Sequence, residues 1–407
     1  MRPDSKVPIH WRKQYFLSPQ VLKLGVLIAA GCLTTMTGGI VAPVLPEMLA
    51  QLKFDPRWAG TLVSIHALAI ALFTPVFGIV ADRIGKLKVL LPALIIYSIF
   101  GISGAFIPNL APLLVARVGL GIASAGIAAA SIGLLGTMYD GDARTRILGY
   151  ATSAMTTASI LIPLVGGWVG SFDWHYAFYL YGFGIPTAIA AALILRDGHS
   201  SRSSMVDTSQ NKQLLDVIRQ GSVLKLYLTI ALAAAIVYTV VIYTPLYLKE
   251  AIGAGPALNG FVLAIRAVGA ALVSAFVASR LAKWIGSDRT IGIGFVVMAL
   301  MLGTIPLLDE LRWIVPAAVL FGVGFGVTVP NIYDTLAQRS PANVRSSVLA
   351  IGTGANSLGQ FMSPILLGPL WKSIGLVSVF YAAAGVALTL GILIGTQRTM
   401  SFEDDDH

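Results

Sequence analysis

Twelve apolar stretches run through this chain, at approximately residues 21–45, 58–81, 87–107, 110–137, 145–170, 176–195, 222–248, 257–282, 289–308, 313–337, 345–370 and 375–396. A helix needs about 20 mostly apolar residues to cross the hydrocarbon core of a bilayer. Helices are the expected form because each satisfies its own backbone groups where no water is available. The composition agrees: 56% of residues are hydrophobic and 12% are charged, whereas soluble domains carry about 25% charged residues. Mean hydropathy is +0.80. The chain cannot cover a globule with solvated side chains, and its fold class is an all-α polytopic membrane protein. The first run, from Val21, is too long for a signal-peptide core and reads as a retained span.

The polar stretch 196–221 divides the spans six and six. The expected organisation is an N-terminal segment 1–20, a six-helix bundle over 21–195, the linker, a second bundle over 222–396, and a tail 397–407. Within the linker, "QLLDVIRQ" has the pattern of a short amphipathic surface helix. The halves repeat at an offset of 201 residues. "RTRILGYATSAMTTASILIPLVGG" (144–167) falls on "RSSVLAIGTGANSLGQFMSPILLG" (345–368), aligning Arg144 with Arg345, Thr152 with Thr353, Pro163 with Pro364 and Gly167 with Gly368. The same offset lays Gly85 on Gly286. Two similar six-helix halves with binding residues between them is a common transporter plan.

The formal charge is +9. No soluble segment is large enough to gather these charges on one face, so a nucleic-acid partner is not expected. They instead set orientation. With the N-terminus in the cytoplasm, 21 of the 28 Lys and Arg fall on that side, and Lys53, Arg57, Lys249, Arg312 and Lys372 on the other. Basic residues gather in cytoplasmic loops, which puts both termini in the cytoplasm of a cell with a bacterial-type inner membrane. The single Cys32 excludes an intrachain disulfide, and no metal or cofactor site is expected.

Between spans 2 and 3 lies "GIVADRIGKLKVL" (78–90), a dense charge cluster punctuated by glycines. It resembles the signature between helices 2 and 3 of the major facilitator superfamily, with Gly78, Ala81, Asp82, Arg83, Gly85, Lys86 and Leu90 in place, Val80 for the usual Leu and Leu87 for a basic residue. "LLVARVGLGIASA" (113–125) is similar to the helix 4 pattern of the drug:proton antiporter branch through Arg117, Gly121 and Ala125, with Leu120 where a Gln is common. "ASILIPLVGG" (158–167) resembles that branch's helix 5 motif through Pro163, Gly166 and Gly167, with Ala158 and Ile162 at usual glycines. "GGIVAPVLPEM" (38–48) has the look of the same branch.

The resemblance implies two pseudo-symmetric six-helix bundles rocking about a central cavity. It also implies that Asp82 meets the N-terminal end of helix 11 near Arg345; with Arg83 or Lys86 able to pair with Asp140 or Asp142, and Gly78 and Gly85 allowing close approach and a tight turn, the cluster is expected to form a conformational latch. Such a latch favours the outward-open state; the plainer reading of the cluster is topology signalling by basic residues.

Arg117 and Arg266 are the charges deepest in the spans, where a charge costs several kcal/mol unless it faces a cavity or a partner. Either could line a substrate cavity, Arg117 could also answer the movement of a coupling proton, and either could instead be tied to backbone carbonyls. Tyr238, Tyr243, Asn331, Asn356 and Gln360 offer further polar groups for the cavity. His66 and Asp334 are the other coupling candidates. No Asp or Glu lies clearly at mid-depth, which weakens the case for a central carboxylate proton carrier. Nothing resembles a phosphate-cradling loop or a convergent catalytic set, so an enzyme or an ATP-driven pump is not expected.

The expected function is secondary active transport of a small organic or amphipathic solute by alternating access, with efflux by proton exchange, multidrug in type, as the leading form. The alternatives are an organic-anion or lipid-like solute carrier without proton coupling, and a ligand-sensing membrane receptor without net transport. The expected partners are the solute, protons and membrane lipids, acting on a monomer.

Overall fold

The computed structural model describes residues 19–53, 55, 58–139, 141–195 and 208–396. These residues form twelve long helical segments. They are α1 (Gln20–Leu52), α2 (Ala59–Ile84), α3 (Lys86–Ser103), α4 (Leu110–Met138), α5 (Gly141–Gly170), α6 (Trp174–Ile194), α7 (Gly221–Ile252), α8 (Pro256–Phe276), α9 (Ser287–Leu307), α10 (Leu311–Gln338), α11 (Arg345–Ile374) and α12 (Leu376–Gly395). All but α11 pass as membrane spans on length and apolarity alone. Its polar run from Thr353 to Ser363 lowers α11's apolarity, and its 30 residues still exceed the bilayer thickness.

The duplication is visible in the helix limits. Moving by 201 residues carries α3 onto the Ser287–Thr304 part of α9 and α4 onto α10 to within a residue. Each half packs chiefly on itself, and α3, α6, α9 and α12 make their principal contacts within their own half. The halves meet through α2 against α11, α5 against α8, and the last part of α1 against α7 and α8. The result is two pseudo-symmetric six-helix bundles facing each other.

Three local features position the rest. First, α1 breaks at Ile40, between Pro19–Gly39 and Val41–Leu52. Pro43 and Pro46 follow, and each removes a backbone donor from the helix. Second, Gly85 and Gly286 stop α2 and the end of its counterpart with φ/ψ of 106°/137° and 91°/152°. Only glycine takes this conformation without strain, so the repeated glycine is a repeated corner. Third, the span expected over 257–282 is not one helix. Here α8 ends at Phe276, and a separate amphipathic helix, Ala278–Ile285, leads to Gly286. In the linker, Thr208–Arg219 is helical.

Candidate functional site

The two ends of the double bundle differ. One end, the hairpin end, carries the α1–α2, α7–α8 and α11–α12 turns. The other, the basic end, carries Lys86, Arg144 and Arg345. At the hairpin end the halves are in close contact along two related seams. In one, a side-chain carbon on Gly60 of α2 would lie 2.3 Å from Pro364 of α11. In the other, a carbon on Gly260 of α8 would lie 2.3 Å from the Pro163 carbonyl of α5, and one on Gly167 would lie 2.4 Å from the Pro256 carbonyl. Pro163 and Pro364 are the residues that the 201-residue offset superimposes, so one duplicated proline builds both seams. Gly166 fits against the α1 break, 3.2 Å from Ile40 Cα by the same measure.

Polar groups reinforce this end. Asn259 donates to the Pro43 carbonyl across the halves at 3.2 Å. Lys249 pairs with Glu47 at 3.1 Å, and Lys372 with Asp55 at 3.0 Å. These pairs are partly exposed, and such pairs contribute about 0–1 kcal/mol each. Backbone contact through glycine, rather than charge, closes the hairpin end.

Toward the basic end the halves separate. Gly78 of α2, Gly149 of α5 and Gly354 of α11 have open space where a side chain would begin. On α5 two faces are exposed. One is apolar, with Tyr150, Leu161, Leu164 and Trp168, and suits lipid. The other carries Thr152, Thr156 and Ser159. On α11, exposed Thr353 and half-buried Asn356 and Gln360 follow one another along the helix, and Gln360 donates to Asn356 at 2.7 Å. A polar face is unsuited to lipid, which makes these two stripes the candidate walls of a chamber between the halves.

The chamber ends at mid-depth, at the α1 break. A side-chain carbon on Gly38 would lie 2.8 Å from the Tyr238 hydroxyl and 3.1 Å from the His66 ring. Glycine at this position lets a tyrosine of one half and a histidine of the other reach the same point. His66 is 3% exposed and its ring is buried against the Val63 backbone. Arg117 stands behind this contact, 2% exposed. Its Nε donates to the Leu62 carbonyl at 3.2 Å, one terminal nitrogen to the Tyr181 hydroxyl at 3.0 Å and the other to the Thr37 carbonyl at 2.7 Å. The side chain therefore ties α4 to α1, α2 and α6. Arg266 approaches Tyr238 from α8 and is half-buried; its Nε is buried with no hydrogen-bond partner among the described residues.

The remaining expected residues lie elsewhere. Tyr243 is fully buried in the α2–α11 seam, edge-on to Trp371. Asn331 is buried inside the second half and donates to the Val327 carbonyl at 2.7 Å. Asp334 is exposed toward the basic end and accepts from Gln338 at 2.8 Å. Asp82 is 59% exposed and pairs with Lys86, four residues on, at 3.3 Å. The Lys86 chain also lies along α4 at Gly133, and Arg83 is exposed. Asp140 lies outside the described residues, as does the side chain of Asp142.

Thr37 and Tyr181 belong to this site and did not stand out in the sequence, whereas Gly38 stood there only as the first residue of the 38–48 stretch and Asn259 only as a polar neighbour of Arg266 on its helix face. Gly38 and Tyr181 are common residue types in such spans, and only the crossing of helices gives them a role. Asn259 had a signal, since an amide on a lipid-buried helix needs a partner.

A model of the major facilitator superfamily matches residues 27–364. The chain belongs to the major facilitator superfamily. Among curated relatives, the quinolone resistance protein NorA of Staphylococcus aureus is 23% identical over 376 residues, covering 90% of this chain and 95% of that protein. The class B tetracycline resistance protein of Escherichia coli is 23% identical over 392 residues, with 91% and 96% covered. The crystal structure of the nucleoside transporter NupG superimposes with a TM-score of 0.78 at 14% identity, covering 92% of this chain and 98% of that one. This major facilitator is thus a multi-pass membrane transporter and not an enzyme, and two of its relatives carry drug-resistance names.

Proposed function

We propose that this facilitator exports a small organic, amphipathic solute across the cytoplasmic membrane in exchange for protons, and that the structure is its inward-facing state. One observation carries the reading. A polar point at mid-membrane, where His66 and Tyr238 meet over Gly38, is closed off by glycine seams on one side and reached between polar walls on the other. The positive-inside bias assigns the open, basic end and both termini to the cytoplasm. The drug-resistance names of the two relatives support solute export.

In this scheme His66 is the proton-responsive group. Arg117 uses three of its five donors on protein acceptors and acts by holding α1, α2, α4 and α6 together. A proton on His66 adds a second cation beside Arg117 and so bears on the junction with Tyr238, where the halves must part when the hairpin end opens. The expected outcome in sealed proteoliposomes is solute movement driven by an imposed pH gradient, with proton flux on solute addition. Replacing His66→Gln should leave solute binding within about threefold while abolishing movement against a gradient. Binding without flux in sealed vesicles would establish a receptor instead.

A second reading rests on Arg266, which lies near Tyr238 and whose Nε is buried with no hydrogen-bond partner among the described residues. An anionic solute would satisfy it, and a carrier of organic anions would then need no proton. Uptake unaffected by the pH gradient and lost in Arg266→Gln would select this reading.

A further inference from the structure

The outer surface of the second bundle, away from the chamber, carries an open groove between α9 and α12. Its floor is glycine. A side-chain carbon on Gly292 would lie 2.7 Å from Gly395 Cα and 2.8 Å from the Gly391 carbonyl, so the two backbones touch there and no side chain fills the surface. Val296 and Ile293 form one wall, and Ile285 and Arg289 close the basic end. The space is about 420 Å³. Exposed Ile293, Leu300, Ile392 and Leu393 flank it, so this side of the molecule faces lipid.

The first half lacks these residues. At the positions the 201-residue offset brings to Gly292, Gly391 and Gly395 stand Leu91, Ala190 and Ile194. The groove is therefore a departure from the internal symmetry and not a consequence of the shared fold.

Its basic end is built for an anionic group. The amphipathic helix Ala278–Ile285 leads into it and presents Arg280, Lys283 and Trp284, the last 82% exposed, beside exposed Arg289. Asp288 is the one carboxylate of this segment, against three basic side chains. Exposed tryptophan at this depth suits the headgroup level of a bilayer, and basic pockets between helices on the cytoplasmic side hold lipid headgroups. An apolar channel along the span with cationic groups at its mouth fits a chain and a phosphate in that order.

We propose that the α9–α12 groove binds one anionic phospholipid of the leaflet at the basic end, an acyl chain lying over Gly292 and Gly395 and its phosphate on Arg289. The site is separate from the transport chamber and does not depend on how the chamber works. Gly395 permits a direct test, because a side-chain carbon there would lie 3.6 Å from Gly292 Cα, an ordinary contact. Gly395→Leu should thus fill the channel without parting the helices.

The experiment is native mass spectrometry of the purified, delipidated full chain titrated with phosphatidylglycerol or with phosphatidylcholine. One phosphatidylglycerol should be retained in preference to phosphatidylcholine by about fivefold or more. Arg289→Gln should erase that preference, Gly395→Leu should remove the retained lipid, and Arg312→Gln at the hairpin end should change neither. Thermal melting of all variants in phosphatidylcholine checks that they remain folded. Equal retention of the two lipids would overturn the proposal, as would an unchanged preference in Arg289→Gln. A dimer cross-linked through the groove would also overturn it, by showing a second copy as the occupant.

Discussion

Gly38 shows how a residue without a side chain can define a site. Both Tyr238 and His66 occupy the space a Cβ would need, at 2.8 and 3.1 Å, and both belong to helices whose own packing fixes them. Gly38→Val should therefore expel one of the two and disconnect the halves at mid-depth. Transport in proteoliposomes should fall by at least about tenfold, the effect of losing 1.4 kcal/mol of transition-state stabilisation, while expression and gel-filtration profile stay normal. Arg117 makes the contrasting case. Its three interhelical hydrogen bonds average about 0.6 kcal/mol each in membrane proteins, so Arg117→Ala should lose about 2 kcal/mol of stability. Tyr181→Phe, which removes the hydroxyl that accepts from Arg117 and donates to the Thr37 carbonyl, should lose about 1.2 kcal/mol in the same unfolding measurement. Equal losses would show that the guanidinium does not organise this cluster.

At the scale of helices, the seams and the ion pairs of the hairpin end can be ranked. Gly260→Leu places carbon against the Pro163 carbonyl, where even a Cβ would sit at 2.3 Å, and α8 can accept it only by moving off α5. Spin labels at Gln51 and Ser373 should then report a hairpin end that is open in most molecules. Glu47→Gln should shift the same distances by less than about fivefold in population, because an exposed pair contributes at most about 1 kcal/mol. A reversed ranking would make charge the seal. Much of this architecture was legible in the sequence. The twelve spans, the offset of 201 residues, and the corner glycines Gly85 and Gly286 all follow from apolar length and from pattern. Pro163, Gly166 and Gly167 stood out as a motif, though nothing in the chain said that they face Gly260 and Ile40. Side-chain depth was the limit. Tyr243 and Asn331 are of the same residue types as Tyr238 and Asn356, and only their places on packed helices send the first two inward. The break at Val277 also escaped notice, because an amphipathic surface turn continues the apolar count of α8.

For the molecule as a whole, the question is which groups choose between its two arrangements. With the basic end open, Asp82 is 59% exposed and, among the described residues, forms its ion pair with Lys86, its own near neighbour. A partly exposed pair of this kind contributes little to the arrangement in hand. We propose that when the halves close at this end the carboxylate comes toward the N-terminus of α11 at Arg345, where unpaired backbone N–H groups favour a negative charge by about 0.3–1 kcal/mol. Asp82 therefore has a differential interaction with the two states, which is the requirement for shifting an equilibrium between them. Asp82→Asn should remove it from the closed-basic-end state alone and raise the population of the arrangement described here by up to about fivefold. Labels at Arg83 and Ser347 should report a more open basic end, labels at Gln51 and Ser373 a more closed hairpin end, and transport should slow in proportion. The reciprocal variant Lys86→Gln frees Asp82 from its competing partner and should move both distances the other way. Unchanged distances in Asp82→Asn would leave the cluster with orientation in the membrane as its only role, and opposite shifts in the two variants would identify Asp82 as the residue that senses the closure of the basic end.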